Sequence, residues 1–247
     1  MQKSLGIVPV VQELIKAQPL CIQPGIFTPS PIHFISPNRF ELEALWSALK
    51  EQSNGVDAWK WEAVEDACIG REWRESLEKL AKRYKLKWLL EDGVAVQMVN
   101  LLPFFQNIVL KCGEQGNRTI LPTPLRTCKL NGFHKPLGVL VGIRTPLRVS
   151  NLPETNVSNG VVVSNGRTST FMLKYFPAQP IEVGEIVNVT GAGDTLVGSL
   201  LASSMIEGPG LFEDDVKLAS AIDHAQKAAC ATLKCEEAVS PDIRRLG

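Results

Sequence analysis

A short turn, Gly191-Ala192-Gly193-Asp194, has the clearest capacity for chemistry in this sequence. It follows an apolar run typical of a strand and opens a run typical of a helix. The first N–H groups of a helix have no partner within the helix and lie at its positive end, so the turn suits an anion. A carboxylate beside an anion repels it unless the carboxylate has a task, such as taking a proton from a hydroxyl. The alternative is that Asp194 only caps the helix, and the motif alone leaves both interpretations open.

A second candidate site surrounds Asn38 and Glu41, where a strand predicted over 32–35 gives way to a helix predicted over 39–50. A carboxylate on the first helical turn, next to a side-chain amide, suits a hydrated hard cation such as Mg²⁺. The same spacing also matches a capping box, in which Asn38 caps the helix and Glu41 reaches back to it. Both interpretations remain open at this stage.

A third candidate site follows an apolar strand predicted over 107–111. Lys111 ends this strand, and a turn containing Gly113 and Gly116 comes next. The two glycines either shape a turn beside a ligand or form an ordinary strand-to-loop turn.

The elements that must position these sites alternate between strand and helix patterns. Further strands are predicted over 161–164 and 171–176, with a turn over 164–167 between them, and further helices over 71–85, 94–101 and 216–233. The helices over 39–50 and 71–85 each have one apolar face, formed by Phe40, Leu42, Leu45, Trp46 and Leu49 in the first and by Trp73, Leu77, Leu80 and Ala81 in the second. This order indicates an α/β fold with a mainly parallel sheet covered by helices on both faces, and such sheets bind ligands at the carboxyl ends of their strands. Residues 117–160 show no sustained period and are predicted to be a surface insertion in a single domain.

Composition restricts the classes of function. The 247 residues are 45% apolar and 21% charged, with a formal net charge of zero, which does not favour binding to nucleic acid or to an acidic membrane. No apolar run has the length of a membrane span, and residues 1–20 match neither a signal nor a transit peptide. The six cysteines are scattered without zinc-binding spacing. We therefore expect a cytoplasmic protein without a nucleic-acid or membrane partner.

Taken together, the three sites resemble the ribokinase/pfkB family of sugar and nucleoside kinases. The Asn38 to Glu41 segment looks like the Asn-x-x-Glu motif of that family, and Gly191 to Asp194 looks like its catalytic signature. The resemblance covers roughly residues 32–242, apart from the insertion. It implies a ribokinase-like doubly wound sheet, and transfer of the ATP γ-phosphoryl group to a hydroxyl of a sugar or nucleoside with Mg²⁺.

The resemblance also implies roles for individual residues. Asp194 would be the general base, and the N–H groups of Gly191, Ala192 and Gly193 would form an anion hole. Asn38 and Glu41 would bind Mg²⁺, largely through water. The nucleotide site would include Asn38, Glu41, Lys111, Gly113, Gly116 and Thr190, with residues 228–240 flanking the adenine.

Within this family, the chain looks most like pseudouridine kinases, including the kinase half of pseudouridine-metabolising bifunctional enzymes. The similarity lies in the lead-in Asn188-Val189-Thr190, in residues 101–104 and in residues 232–241. Many relatives carry an aspartate where this chain has Asn188, and that carboxylate helps to bind a monovalent cation. The resemblance therefore leaves activation by a monovalent cation open.

Other family members carry a substrate-binding half before the Asn-x-x-Glu strand, with a Gly-Gly motif, an aspartate and a β-sheet lid. Only 31 residues precede Ile32 here, and none resembles those parts. We therefore expect a partial kinase domain without the N-terminal strands and lid. Such a chain is either a truncated kinase, a fragment of a larger bifunctional protein or an inactive nucleotide-binding remnant. A homo-oligomer or a partner chain is expected to cover the exposed sheet edge.

Overall fold

A computed structural model of the chain describes residues 32–51, 67–102, 104–112, 138–146 and 155–245. The strands are β1 (Ile32–Ile35), β2 (Phe105–Cys112), β3 (Gly138–Pro146), β4 (Val161–Asn165) and β5 (Ser169–Phe176). The helices are α1 (Arg39–Glu51), α2 (Arg71–Tyr84), α3 (Trp88–Glu91), α4 (Val94–Leu101), α5 (Ala192–Glu207) and α6 (Asp215–Leu233). This order confirms the α/β class. The chain falls into two compact units, the first within residues 1–110 and 140–175 and the second within residues 111–139 and 176–247.

The five strands form one mixed sheet in the order β1-β2-β3-β5-β4. Strands β1 and β2 are parallel, with Phe34 opposite Asn107. Strands β4 and β5 form the antiparallel hairpin predicted from the sequence, with Val163 opposite Met172. The sheet therefore has an antiparallel edge, whereas the sequence predicted a mainly parallel arrangement. The ribokinase-like connection of the elements stays a prediction.

Strand β3 corrects the prediction for residues 117–160. It lies between β2 and β5, and Val139, Leu140 and Val141 are fully buried. A strand buried on both faces has a continuous apolar run without the alternation that marks a half-buried strand, so its periodicity is weak. Part of the predicted surface insertion is thus core, while residues 117–137 and 147–154 lie outside the described residues.

Helices α1 and α2 of the first unit bury the apolar faces that the sequence predicted, α1 against α4 and α2 against β4. The side chains of α2 that become buried are those expected from its periodicity: Trp73, Leu77, Leu80 and Ala81. In α1, Leu42 and Leu49 are buried as expected, but Phe40 is 82% exposed. Phe40 precedes Leu42 by two positions, which is more than half a helical turn, so the two side chains point to different sides of α1.

The second unit is built on the packing of α5 against α6. Leu196 and Leu200 of α5 and Leu218 and Ile222 of α6 are completely buried. Asp214 caps α6 by accepting hydrogen bonds from the N–H groups two and three residues later, at 2.9 and 3.0 Å. No described helix is both long enough and apolar enough to cross a lipid bilayer.

The central position of β3 can be tested with the variant Leu140→Ala. Removing this fully buried side chain should lower the free energy of unfolding by about 2–5 kcal/mol, because a cavity remains in the sheet's core. Val96→Ala is the control, since Val96 is 59% exposed on α4 and its loss should cost less than about 0.5 kcal/mol. Urea unfolding measures both. Equal effects of the two variants would contradict a central β3.

Candidate functional site

The predicted site residues are distributed over the two units. Asn38 and Glu41 belong to the first unit. The second unit contains Lys111, Thr190, Gly191, Ala192, Gly193 and Asp194. Gly113 and Gly116 lie outside the described residues.

Helix α5 begins at the Gly-Ala-Gly-Asp turn, as the sequence predicted, but residues 186–189 before the turn do not form the expected strand. Gly191 is its N-cap residue, with φ 81° and ψ −13° in the left-handed region, and the N–H of Thr195 donates to the Gly191 carbonyl at 2.8 Å. The N–H groups of Ala192, Gly193 and Asp194 have no carbonyl four residues earlier within the helix to which they could donate. The Asp194 side chain is exposed and forms no hydrogen bond or ion pair with the rest of the described chain. The capping role that the sequence left open for this carboxylate is therefore absent from the structure.

Close packing explains why Gly191 must be a glycine. A Cβ atom at this position would lie 1.8 Å from the carbonyl oxygen of Ala238, which is well inside a van der Waals contact. The positive φ disfavours other residues as well. The segment that follows α6, residues 234–240, thus lies directly against the turn. It belongs to the stretch 228–240 that the resemblance places beside the adenine, but the sequence did not predict the contact of Ala238 with Gly191.

Asn188 attaches the approach to the turn to the same segment. Its side-chain amide donates to the Glu236 carbonyl at 3.0 Å, and its side-chain oxygen accepts the N–H of Thr190 at 2.9 Å. The backbone N–H groups of Val187 and Asn188 both donate to the Leu233 carbonyl, at 2.8 and 3.2 Å. Asn188 therefore holds the backbone of the turn in place, and the exposed Thr190 directly precedes Gly191.

Lys111, at the end of β2, reaches the start of α5. A Cβ atom added to Gly193 would lie 3.6 Å from Cδ and 4.0 Å from Nζ of Lys111, so the lysine side chain passes over this glycine. The ammonium group adds a full positive charge to the positive end of the helix. Of the predicted nucleotide-binding residues, the structure thus brings Lys111 and Thr190 together with the Gly191–Asp194 turn.

One further ion pair supports the loop that precedes the turn. Lys234 donates to Glu185 Oε1 at 2.8 Å. This hydrogen bond, together with one from the backbone N–H of Glu182, holds the pKa of the exposed Glu185 carboxyl below its usual range. The loop is therefore connected to the end of α6 by a charged side-chain contact as well as by backbone hydrogen bonds.

Asn38 and Glu41 form the capping box that the sequence offered as one of two interpretations. The N–H of Asn38 donates to Glu41 Oε2 at 2.8 Å, and the N–H of Glu41 donates to Asn38 Oδ1 at 2.9 Å. Carboxylate and amide oxygens have more than one lone pair, so these groups retain the chemistry of Mg²⁺ ligands. Among the described residues, no three His, Cys, Asp or Glu side chains cluster as ligands for a metal ion.

The steric requirement at Gly191 leads to a paired test with Gly193. Gly191→Ala should destabilise the protein strongly, since the left-handed conformation alone costs about 1–2 kcal/mol and the methyl group would collide with the Ala238 carbonyl. Gly193→Ala should be tolerated by the fold, because its methyl group would meet Lys111 Cδ at an ordinary contact distance of 3.6 Å. Urea unfolding compares them, and a Gly191→Ala variant as stable as Gly193→Ala would contradict the packing.

Comparison with known proteins identifies a distant homologue. The chain is similar to a pseudouridine-metabolizing bifunctional protein of Schizosaccharomyces pombe, with 28% identity over 221 residues. The similar region is 90% of this chain but 24% of that protein, so the chain spans about a quarter of its relative's length. No protein-family model matches the chain.

Proposed function

We propose that this chain is a kinase of the ribokinase/pfkB type, which transfers the ATP γ-phosphoryl group to a hydroxyl of a sugar or nucleoside. The observation that carries the proposal is the start of α5, where backbone N–H groups and the Lys111 side chain surround Gly193 and the adjacent Asp194 carboxylate is exposed. The order of the sequence motifs and the α/β architecture support the same class. The name of the distant homologue makes pseudouridine the first acceptor to test.

In the proposed reaction, Asp194 takes the proton from the acceptor hydroxyl as its oxygen attacks the γ-phosphorus. A new P–O bond forms to the acceptor, the bond between the γ-phosphorus and the bridging oxygen breaks, and ADP leaves. Proton transfer of this kind contributes roughly 10²–10⁴-fold to a rate. Asp194 is suited to this step because its carboxylate is exposed and no side chain of the described residues engages it.

The turn supplies the other requirement of phosphoryl transfer, which is stabilisation of negative charge. The N–H groups at the start of α5 are fixed before a ligand arrives, because Gly191 is held against Ala238 and Asn188 is bonded to Glu236. In other enzymes, loss of a single preorganised donor costs about 2.7–4 kcal/mol of transition-state stabilisation. Lys111 adds a positive charge beside these fixed dipoles.

Mg²⁺ would neutralise part of the phosphate charge when bound, and Asn38 and Glu41 are the residues that we propose to hold it with its water molecules. Their oxygen atoms suit this hard cation. In the structure both groups also stabilise the start of α1 through the capping box. These side chains would then have two roles, of which capping is the one supported by their hydrogen bonds.

A non-catalytic nucleotide-binding protein is the alternative, and the variant Asp194→Asn separates it from a kinase. We expect this change to reduce turnover at least about 100-fold, because the base is lost, while MgATP affinity stays within about twofold, because the N–H groups remain. Asp215→Asn is the matched control, since Asp215 also lies in the first turn of a helix of the second unit. Radiolabelled phosphoryl transfer to pseudouridine and to ribose measures turnover, and calorimetry measures MgATP binding.

The outcomes of this experiment are distinct. If the native chain does not bind MgATP, the proposed function is wrong. If the chain binds MgATP but phosphorylates neither pseudouridine nor ribose, the non-catalytic alternative is favoured. Turnover that persists in Asp194→Asn would remove Asp194 as the base.

The variant Glu41→Gln tests the proposed role of Glu41 in binding Mg²⁺. Glutamine keeps an oxygen that can accept the N–H of Asn38, so the free energy of unfolding should change little. Loss of the charge should raise the Mg²⁺ concentration needed for nucleotide binding, by about fivefold for a loss of about 1 kcal/mol. Glu43→Gln, at an exposed position of the same helix, is the control. Identical Mg²⁺ dependence in both variants would contradict the binding of Mg²⁺ by Glu41, whose role would then be to cap α1.

A further inference from the structure

Two buried hydroxyl groups connect the helices next to the Gly191–Asp194 turn. Thr195 Oγ1 and Thr232 Oγ1 are 3.1 Å apart, and the two residues are 7% and 0% exposed. Thr195 directly follows Asp194 on α5, whereas Thr232 lies in the last turn of α6. Thr232 belongs to the stretch 228–240 expected beside the adenine, but the sequence predicted no role for either hydroxyl group, because a threonine in a helix is usually part of a polar surface.

The hydroxyl pair also reaches the segment after α6. The backbone N–H of Ser240 donates to Thr232 Oγ1 at 3.3 Å, and Ser240 is itself 5% exposed. Its side-chain oxygen in turn accepts the N–H of Asp242 at 3.3 Å. Thr232 therefore holds the end of segment 234–240 through a hydrogen bond that has little access to water.

These contacts close a ring around the turn. The N–H of Thr195 donates to the Gly191 carbonyl, and the Thr195 side chain meets Thr232. Thr232 holds Ser240, and two residues earlier the Ala238 carbonyl lies against Gly191. Both hydroxyl groups thus connect Gly191 with segment 234–240, in addition to the hydrogen bond between Asn188 and Glu236.

Helix packing alone does not account for these hydroxyl groups. Leu196, Leu200 and Ile222 bury the contact between α5 and α6, and valine in place of Thr232 would fill nearly the same volume without burying a polar atom. However, valine has no hydroxyl group and cannot accept the hydrogen bond from the backbone N–H of Ser240. The specific consequence of the hydroxyl group is therefore the placement of segment 234–240 rather than the packing of the two helices.

We propose that Thr195 and Thr232 are positioning residues, which hold the Gly191–Asp194 turn in register with segment 234–240 and thereby set the affinity of the turn for the nucleotide. This inference rests on the proposed function, because it takes the start of α5 to be the phosphate-binding element. It adds that two buried side chains, whose hydroxyl groups contact each other, control how well the nucleotide binds.

The test compares Thr232→Val with Thr232→Ser in the full chain. Valine removes the hydroxyl at nearly constant volume, whereas serine keeps the hydroxyl and loses a methyl group. Thr170→Val is the matched control, because Thr170 is another buried threonine, 2% exposed, on β5 of the first unit. For each variant, calorimetry measures the Kd for MgATP, thermal unfolding measures stability, and amide hydrogen exchange measures protection of residues 191–195 and 234–240.

We expect Thr232→Val to weaken MgATP binding about tenfold, equivalent to about 1.4 kcal/mol, and to accelerate exchange in both segments. Thr232→Ser should restore affinity and protection to nearly native values, and Thr170→Val should lower stability without changing either. Native affinity and native protection in Thr232→Val would overturn the inference, even if that variant were less stable. A Thr232→Val protein that fails to fold is replaced by Thr195→Val, with Thr195→Ser as its rescue and the same criteria.

The failure of the proposed function can be distinguished from the failure of this inference. If the native chain binds no MgATP, the proposed function fails, and with it the link to nucleotide affinity. Hydrogen exchange then decides on the positioning network alone. Faster exchange of residues 191–195 and 234–240 in Thr232→Val but not in Thr232→Ser supports the network, and unchanged exchange rejects it.

Discussion

The close approach of Gly191 to the carbonyl of Ala238 is the constraint on which the rest of the candidate site depends. It leaves no room for a side chain and coincides with a left-handed backbone, so the chain can enter α5 only through glycine at this position. The direction of the first helical turn follows from that entry. Ala192 then faces the core, Gly193 lies beneath Lys111, and Asp194 extends into solvent. The anion-binding geometry and the placement of the carboxylate are thus consequences of one backbone contact.

The two candidate helix starts differ in whether their backbone N–H groups have acceptors within the protein. This difference indicates which of the two helix starts is available to a ligand. At α1, Asn38 and Glu41 supply side-chain oxygens to each other's backbone, so the helix start is complete without a ligand. At α5, the N-cap residue is a glycine without a side chain to offer, and Asp194 does not turn back to the backbone. A helix start that lacks its own acceptor is the better place for phosphate oxygens. For this reason the proposed chemistry is centred on the second unit.

Local patterns predicted most of the elements, because they depend on neighbours in the sequence. Local patterns located α2, α4 and α6 to within about one residue of their observed bounds, and the strands predicted over 161–164 and 171–176 correspond to β4 and β5. The errors have physical causes. Strand β3 is buried on both faces and therefore lacks the alternation that identifies a strand. Phe40 was assigned to an apolar face because its residue type is apolar, although its angular position on α1 places it in solvent.

The sequence by itself determined which residues are capable of the proposed chemistry, because the Gly-Ala-Gly-Asp turn combines glycine, a helix start and a carboxylate within four consecutive residues. It also offered the capping box as one of two interpretations of Asn38 and Glu41, which lie on one helical turn. Only the tertiary structure decided which residues from distant parts of the chain lie next to the turn. Lys111, Ala238 and Thr232 are far from Gly191 along the chain, and they reach it because β2 ends there and α5 packs on α6. Contacts of this kind depend on the packing of distant segments, which no local period or spacing encodes.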